Sequence, residues 1–264
     1  MALRLCVLGS GSSGNAIFVA SDTTPVLIDA GLSCRQIKLR LEGIGRSLEE
    51  VQGVCLSHEH DDHASALPVM VNRHGTAVFA NTGTVEALRR HPRLGALSWN
   101  VFETGQPFTI GDLTLEPFSV PHDAYDPVGF VVSDGRDRVG VVTDAGTPTT
   151  LIRERLSHCR AVVVEANHDE QLLQEAPRPW SLKQRIRGRQ GHLSNEHAAA
   201  ILADIAGPDL QQVFLAHLSS QCNRGDLALG CVSGKLNEGG HTHVRVSLTY
   251  PDRASEVWTA ASCA

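Results

Sequence analysis

Six consecutive residues, His58-Glu59-His60-Asp61-Asp62-His63, bring three imidazoles and a well-spaced carboxylate together. Imidazole nitrogen and carboxylate oxygen are ligands that suit Zn or Mn. At this chain's histidine and aspartate frequencies, an HxHxDH string should arise by chance in on the order of one in several hundred chains of this length. Residues two apart on extended backbone point the same way, so His58 and His60 suit one ion, while Asp62 and His63 at a turn into a helix suit a second. Two cations about 3.5–4 Å apart bring the pKa of water down toward about 7 and steady both the entering and the leaving oxygen of a displacement, so the chemistry indicated is hydrolysis. The plainer alternative is a solvated polar loop that caps a helix.

The surrounding elements read as a scaffold that presents this segment at a strand end. Short apolar runs at Leu3–Leu8, Ala16–Ala20, Val26–Asp29 and Val54–Ser57 are bounded by Gly, Ser, Pro or Asp and predict strands. Cys34–Gly43 has helical spacing, a helix is expected from His63 through Asn72, a strand over Thr76–Ala80, and a helix over Thr82–Arg90 with Thr82 as its N-cap. From Val101 to Val142 the pattern becomes successive strands, including Leu113–Val120 and Val139–Val142, with turns at Gly111-Asp112 and Asp134-Gly135, as in an antiparallel meander. Mixed order returns with a strand at Ala161–Glu165, a helix at Asn195–Ala206, a strand at Gln212–Ala216 and a final strand at Val244–Tyr250. Two mixed sheets with helices on their outer faces satisfy this order, an α/β fold of four layers, αββα, in a single domain over residues 1–264.

Composition narrows the class. With 264 residues, 42% hydrophobic and 20% charged, the chain can bury a large core. The N-terminal stretch has no basic region and is interrupted by Gly and Ser after Leu8, so it does not read as a signal peptide, and no window offers the run of about 20 apolar residues that a membrane helix needs. Seven cysteines without a CxxC pair suit reduced thiols in a cytoplasm. The net charge of −6 excludes a protein that is basic all over, so any affinity for nucleic acid must be local. Such a local patch exists in Arg178–His192, which holds five Arg or Lys and no Asp or Glu. It suits a phosphate-bearing substrate, with Trp180 able to stack on a base, or else is a solvated basic face.

The histidine segment resembles the HxHxDH signature of the metallo-β-lactamase superfamily, and further pieces follow in order. Val26-Leu27-Ile28-Asp29-Ala30-Gly31 is similar to the upstream Asp–Gly motif, Val120-Pro121-His122 to the isolated third histidine, Val142-Thr143-Asp144-Ala145-Gly146 to the bridging aspartate, and Leu215-Ala216-His217-Leu218-Ser219 to the last histidine. The resemblance implies His58, His60 and His122 on one metal, Asp62, His63 and His217 on the other, and Asp144 bridging both. Asp62 would also orient or deprotonate the attacking water. Asp29 is expected to support the ligands by hydrogen bonding or to be only a strand-ending turn residue.

Superfamily members cleave β-lactams, thioesters, lactones and phosphodiesters, so the metals leave the substrate open. Gly191-His192-Leu193-Ser194-Asn195 resembles the Gly-His-Ser-Thr element of tRNase Z, with Leu-Ser in place of Ser-Thr and no counterpart of the arm that grips tRNA. That likeness implies that His192 faces the scissile phosphate and assists the leaving group. The alternative is a histidine that caps the next helix. The chain also resembles the YycJ-like (WalJ) group in Gly9-Ser10-Gly11-Ser12-Ser13-Gly14-Asn15, in Glu165-Ala166-Asn167-His168-Asp169, in Leu182-Lys183-Gln184-Arg185-Ile186, and in His217-Leu218-Ser219-Ser220.

The YycJ-like likeness implies a 5′-to-3′ DNA exonuclease, for which Asp62 and His192 are the candidate catalytic residues. Ser12, Asn15, His168, Lys183 and Arg185 are candidate substrate contacts. The Gly-Ser loop either offers N–H groups to a phosphate or merely connects strands, and His168 lines the site or sits in a turn that begins a helix. The alternatives carried forward are a small-molecule cyclic phosphodiesterase of the phosphoribosyl cyclic phosphate type, a thioesterase or lactonase, and a non-catalytic binding module. Cys222 reads as a bystander thiol. His74, His91, His158, His197, His241 and His243 receive no role, and the oligomeric state is left open.

Overall fold

The computed structural model describes residues 2–261. Two seven-stranded sheets face one another. The first contains β1 (Arg4–Gly9), β2 (Ala16–Ala20), β3 (Pro25–Ile28), β4 (Gly53–Cys55), β5 (Val78–Asn81) and β6 (Trp99–Phe102) in chain order, with β14 (Trp258–Thr259) added beside β1. The second runs from β7 (Phe108–Ile110) through β8 (Leu113–Ser119), β9 (Val128–Ser133), β10 (Arg138–Val142), β11 (Ala161–Glu165) and β12 (Gln212–Ala216) to β13 (Arg245–Leu248). In the first sheet the pairs from β3 to β6 are parallel, and in the second those from β10 to β13.

The central strands read as continuous apolar runs because both of their faces are covered. Leu5 and Val7 of β1, Ile17 and Val19 of β2, Val139 and Val141 of β10, and Phe214 of β12 point inward and form the layer between the sheets. The alternate residues point outward. Cys6, Phe18 and Leu27 pack under α1 (Cys34–Gly43), α3 (Leu67–His74) and α4 (Thr82–Leu88), which contribute Ile37, Leu41, Met70 and Leu88. Val162, Val164 and Leu215 pack under α5 (Thr150–Leu156), α8 (Asn195–Ile205) and α9 (Gly225–Glu238), which contribute Ile152, Leu202 and Val232. The result is the αββα sandwich. A smaller apolar group of Leu173, Ala176, Ile186 and Cys222 seats α6 (Glu170–Glu175) and α7 (Trp180–Arg187) beside it.

Several expected elements differ. The helix after the histidine segment begins earlier and is split into α2 (Asp61–Ala64) and α3, the latter with proline in its first turn. Asn81, not Thr82, caps α4, its side chain accepting from Thr84 N–H at 2.9 Å. The strand containing Val101 pairs with β5 in the first sheet, so the antiparallel meander starts only at β7. The strand over Arg245–Leu248 is followed by β14, a short edge strand with too little pattern to read. Helices α5, α7 and α9 were not expected, and α6 only as the helix that a turn at Asn167-His168-Asp169 would begin. Gly230 and Gly234 inside α9 lower its intrinsic helix preference, and burial of Ala228, Val232 and Leu236 overrides that deficit. The thiols of Cys6, Cys34, Cys55, Cys159, Cys222 and Cys231 are free, whereas Cys263 lies outside the described residues. No helix among the described residues is long and apolar enough to cross a membrane.

Candidate metal centre

The polar cluster forms where the parallel strands of both sheets end at their carboxyl termini, the usual location of sites in such sheets. Asp29 follows β3, Ser57 and His58 follow β4, Asp144 follows β10, Glu165 ends β11 and His217 follows β12. Asp29, Asp144 and His217 hold positive φ angles of 63°, 53° and 52°, a left-handed backbone that non-glycine residues adopt at a cost of about 1–3 kcal/mol. Asp144 and His217 therefore turn their side chains into the cleft instead of continuing the strand, and Asp29 turns its carboxylate toward Ser57 and His63 behind it.

Glycine sets the depth at which the histidine segment lies. A Cβ on Gly31 would fall 1.5 Å from the Asp62 carbonyl oxygen, so only glycine lets the Asp29–Gly31 turn lie against α2. The contact is laced by main-chain hydrogen bonds, from Ala30 N–H to His63 O at 2.7 Å and from Asn15 N–H to Asp62 O at 2.8 Å.

Hydrogen bonds on the far side of each ring aim the imidazoles. His63 Nδ1 is 2.8 Å from Asp29 Oδ2, and Asp29 also accepts from Ser57 N–H and Oγ at 2.8 Å each, which leaves His63 Nε2 facing the cleft. His122 Nδ1 is 3.0 Å from the Gly191 carbonyl oxygen, which turns its Nε2 inward. His58 Nδ1 is 3.0 Å from Ser57 Oγ and His58 Nε2 is 3.0 Å from His60 Nδ1.

The structure brings all seven of the expected ligands together. His58, His60 and His122 form one group whose donor atoms lie within 4.8 Å of one another, and His58, His63 and Asp144 form another within the same limit. Asp62 Oδ2 is 3.6 Å from His63 Nε2 and 3.8 Å from His217 Nε2. Asp144 stands between the sets, with Oδ2 2.8 Å from His63 Nε2 and Oδ1 4.0 Å from His122 Nε2. His217 Nε2 is buried without any hydrogen-bond partner. A buried ring nitrogen left without a partner is costly, and a cation among imidazoles and carboxylates, bound by that nitrogen's lone pair, meets the need.

Charge in the cleft is strongly coupled. Burial would lower His63 and His217, but Asp29 and Asp144 hold His63 well above the usual imidazole value, and Asp144 and Glu165 raise His217 to about 10. Burial, followed by the repulsion of His63, drives His58 well below its usual value. Burial likewise lowers His122.

Glu165 is a site residue for which the sequence suggested no role. It is fully buried, its Oε2 accepts the N–H groups of Ala145 and Leu193 at 3.0 Å each, and its Oε1 is 2.7 Å from His192 Nδ1 and 3.1 Å from His217 Nδ1. Burial alone would raise it, yet His192 beside it and the bonds from both imidazoles hold it at about 2. The available signal was an acidic residue ending the wholly apolar run AVVV of β11. Glu165 in turn raises His192 against the opposing effect of burial.

Of the candidate substrate contacts, Ser12 and Arg185 line the cleft together with His60, Asp62, His122, Asp123, Asp144, His192 and His217. Three others do not line it. Asn15 is buried, its Oδ1 accepting from Ser10 Oγ–H and Gly11 N–H at 2.9 and 3.0 Å and its Nδ2 lying 3.1 Å from His63 Nε2 and 3.5 Å from Asp62 Oδ2, so it ties the Gly-Ser loop to the ligands instead of offering itself to a substrate. Lys183 Nζ donates to the Gln174 carbonyl oxygen at 2.5 Å, in a separate hollow between α6 and α7. His168 is 1% exposed and precedes Asp169, which caps α6, as in the turn-before-helix alternative. Ser194, not His192, caps α8. Trp180 is 64% exposed at the start of α7.

Residues 24–218 match the β-lactamase superfamily domain. The exodeoxyribonuclease YycJ of Bacillus anthracis is 33% identical over 243 residues, 91% of either chain. The exodeoxyribonuclease WalJ of Streptococcus pneumoniae is 31% identical over 258 residues, 96% of either chain. Among solved structures, the metallo-β-lactamase fold protein YhfI of Bacillus subtilis shares the fold with a TM-score of 0.74 at 15% identity, over 98% of this chain and 100% of its own.

Proposed function

The chain belongs to the metallo-β-lactamase superfamily, alongside the YycJ and WalJ exodeoxyribonucleases, and on that footing we propose that it hydrolyses DNA phosphodiesters with two divalent cations, working inward from a 5′ end. The observation that carries this reading is the convergence of His58, His60 and His122 on one side of Asp144 and of Asp62, His63 and His217 on the other, in a cleft that His192 also lines.

His58, His60 and His122 would hold one cation, Asp62, His63 and His217 the second, and Asp144 would face both; imidazole with carboxylate suits Zn or Mn. Bound there, the pair would acidify water toward a pKa of about 7 and offset the charge gathering on the phosphoryl oxygens. Asp62, whose side chain is 25% exposed to the cleft, orients the attacking water and accepts its proton. His192 is fixed through Nδ1 by Glu165, so its opposite edge serves the phosphate and protonates the departing oxygen. Arg185, on the same wall, holds a neighbouring phosphate. A thioester or lactone would leave these basic groups without a task.

An assay panel tests the reading: 5′-labelled duplex and single-stranded DNA, a cyclic phosphodiester and a thioester, each with Zn or Mn. Stepwise shortening of the DNA from its 5′ end, with DNA affinity falling steeply as salt rises, is the expected result. Turnover of the cyclic phosphodiester without DNA binding would replace this reading with that of a small-molecule phosphodiesterase.

A further inference from the structure

Trp180 stands 64% exposed on α7, whereas Trp99 and Trp258 are packed against the two cores. We propose that the outer face of α7 carries the unpaired complementary strand that 5′-to-3′ digestion of a duplex leaves behind, with one of its bases stacked on Trp180; the proposal rests on the nuclease reading above.

The helix has two functional faces. Trp180, Lys183, Gln184 and Arg187 recur at the spacing of one helix face and line a hollow of about 90 Å³ against Gln174 of α6. Leu182, Arg185 and Ile186 lie on the opposite face, which lines a second cavity sharing Ser12, Asp123 and His192 with the metal cleft. The helix is fixed relative to that cleft. His192 N–H donates to the Ile186 carbonyl oxygen at 2.8 Å, and Leu182 and Ile186 pack on Leu173, Ala176 and Cys222. A helix with its side chains is about 10–12 Å across, so the body of α7 keeps a strand entering the cleft apart from one that follows its outer face.

The outer face has the chemistry of a single-strand site. An exposed indole stacks on any base, whatever its sequence, and flanking cations hold the backbone. Lys183 has no carboxylate partner among the described residues, its Nζ donating only to the Gln174 carbonyl oxygen. Arg187 is 2.6 Å from Glu170, but both side chains are partly exposed, and an ion pair of that kind is weak enough to be exchanged for a phosphate. The hollow is far smaller than the roughly 300–1,000 Å³ of pockets that enclose whole small molecules, so a base lies across it instead of sinking into it. Bases within a duplex are stacked on one another and offer Trp180 no free face. Removal of nucleotides from a 5′ end turns the complementary strand into a 3′ overhang, whose bases do.

The test measures binding of the full-length protein, loaded with Zn or Mn, to duplexes whose digested strand carries hydrolysis-resistant phosphorothioate linkages. The duplexes end bluntly, in a 3′ overhang of about ten nucleotides, in the same overhang made of abasic sugars, or in a 5′ overhang. The 3′ overhang should bind about tenfold tighter than the blunt end and quench tryptophan fluorescence. Trp180→Ala should abolish both effects while leaving blunt-end binding as in the parent, and the abasic overhang should show neither. Trp180→Phe, which keeps a stacking ring, should retain most of the gain. Lys183→Gln should reduce the salt dependence of overhang binding by about one phosphate contact. Equal binding of blunt and 3′-overhanging ends, binding of none, survival of the gain in Trp180→Ala, or an equal gain from the 5′ overhang that also depends on Trp180 would each overturn the proposal. Digestion of unmodified duplexes is scored separately: absence of cleavage would count against the nuclease reading, while the binding ratios still decide the path of the second strand.

Discussion

Glu165 Oε1 lies 2.7 Å from His192 Nδ1, and the other oxygen of this buried carboxylate is held by two backbone N–H groups, so the ring of His192 is fixed from behind by an anion that cannot turn away. Since Glu165 raises the pKa of His192, replacing it by glutamine lowers that pKa. An acid is lost when pH rises through its pKa, so the alkaline limb of the kcat/KM profile should move to lower pH in Glu165→Gln. In His192→Ala that limb should disappear, with kcat down by about 10²–10⁴. An unchanged profile in Glu165→Gln would rule out this positioning role.

Asp62→Asn keeps the size and most hydrogen bonds of a partly exposed side chain while removing its charge from beside His63 and His217. Hydrolysis should fall by at least about 10²-fold, with a melting temperature close to that of the parent protein measured without metal. Metal analysis should show one of the two ions weakened and the other retained. Full activity in this variant would remove Asp62 from the mechanism.

Metal and protons compete for the same nitrogens, which fixes the sign of two pH effects. In metal-free protein His217 is raised from 6.5 to about 10, so its stabilising contribution is complete below pH 6.5 and is lost as pH rises through about 10. Metal must displace that proton and the one on His63, so metal affinity rises with pH over the same range. Calorimetric melting with EDTA and with Zn should therefore show a gap between the two forms that widens from pH 6.5 upward. A gap that narrows would contradict this assignment of protons.

Gly31→Ala would place a methyl carbon 1.5 Å from the Asp62 carbonyl oxygen, and the backbone there cannot yield without moving the histidine segment. A loss of about 1–3 kcal/mol or more in stability is expected, together with weaker metal binding. Urea unfolding and metal titration measure the two effects. Parent-like values in both would show that the turn is more pliable than its packing implies.

The sequence reached furthest where the chemistry is local. The ligands from His58 to His63 sit on six consecutive residues, so their identity and shared direction are legible there, although Asp29 and Gly31 complete their aim. The central strands were legible because burial on both faces makes them continuous apolar runs, and α8 because its helical length announces it, although Ser194 and not His192 caps it. Legibility failed at α9, where interior glycines hide a helix that packing stabilises, and at α4, where the capping residue lies one position earlier than expected.

The arrangement of the site was decided in three dimensions. Nothing near Glu165 in the sequence indicates that it backs His192 and His217, because those partners are 27 and 52 residues away and meet it only when β11 pairs with β12 and the segment before α8 folds over the end of β11. The same holds for the left-handed turns at Asp144 and His217, which surrounding packing imposes against local preference. It holds too for the basic segment, whose Arg178 and Arg185 face a cavity while Lys183 turns to Gln174. Residue types and short spacings thus specified the ligands and the layers, since both follow from local backbone periodicity. Which side chains support, face or avoid the cleft depended on contacts between distant strands and helices, and only the folded chain determines those.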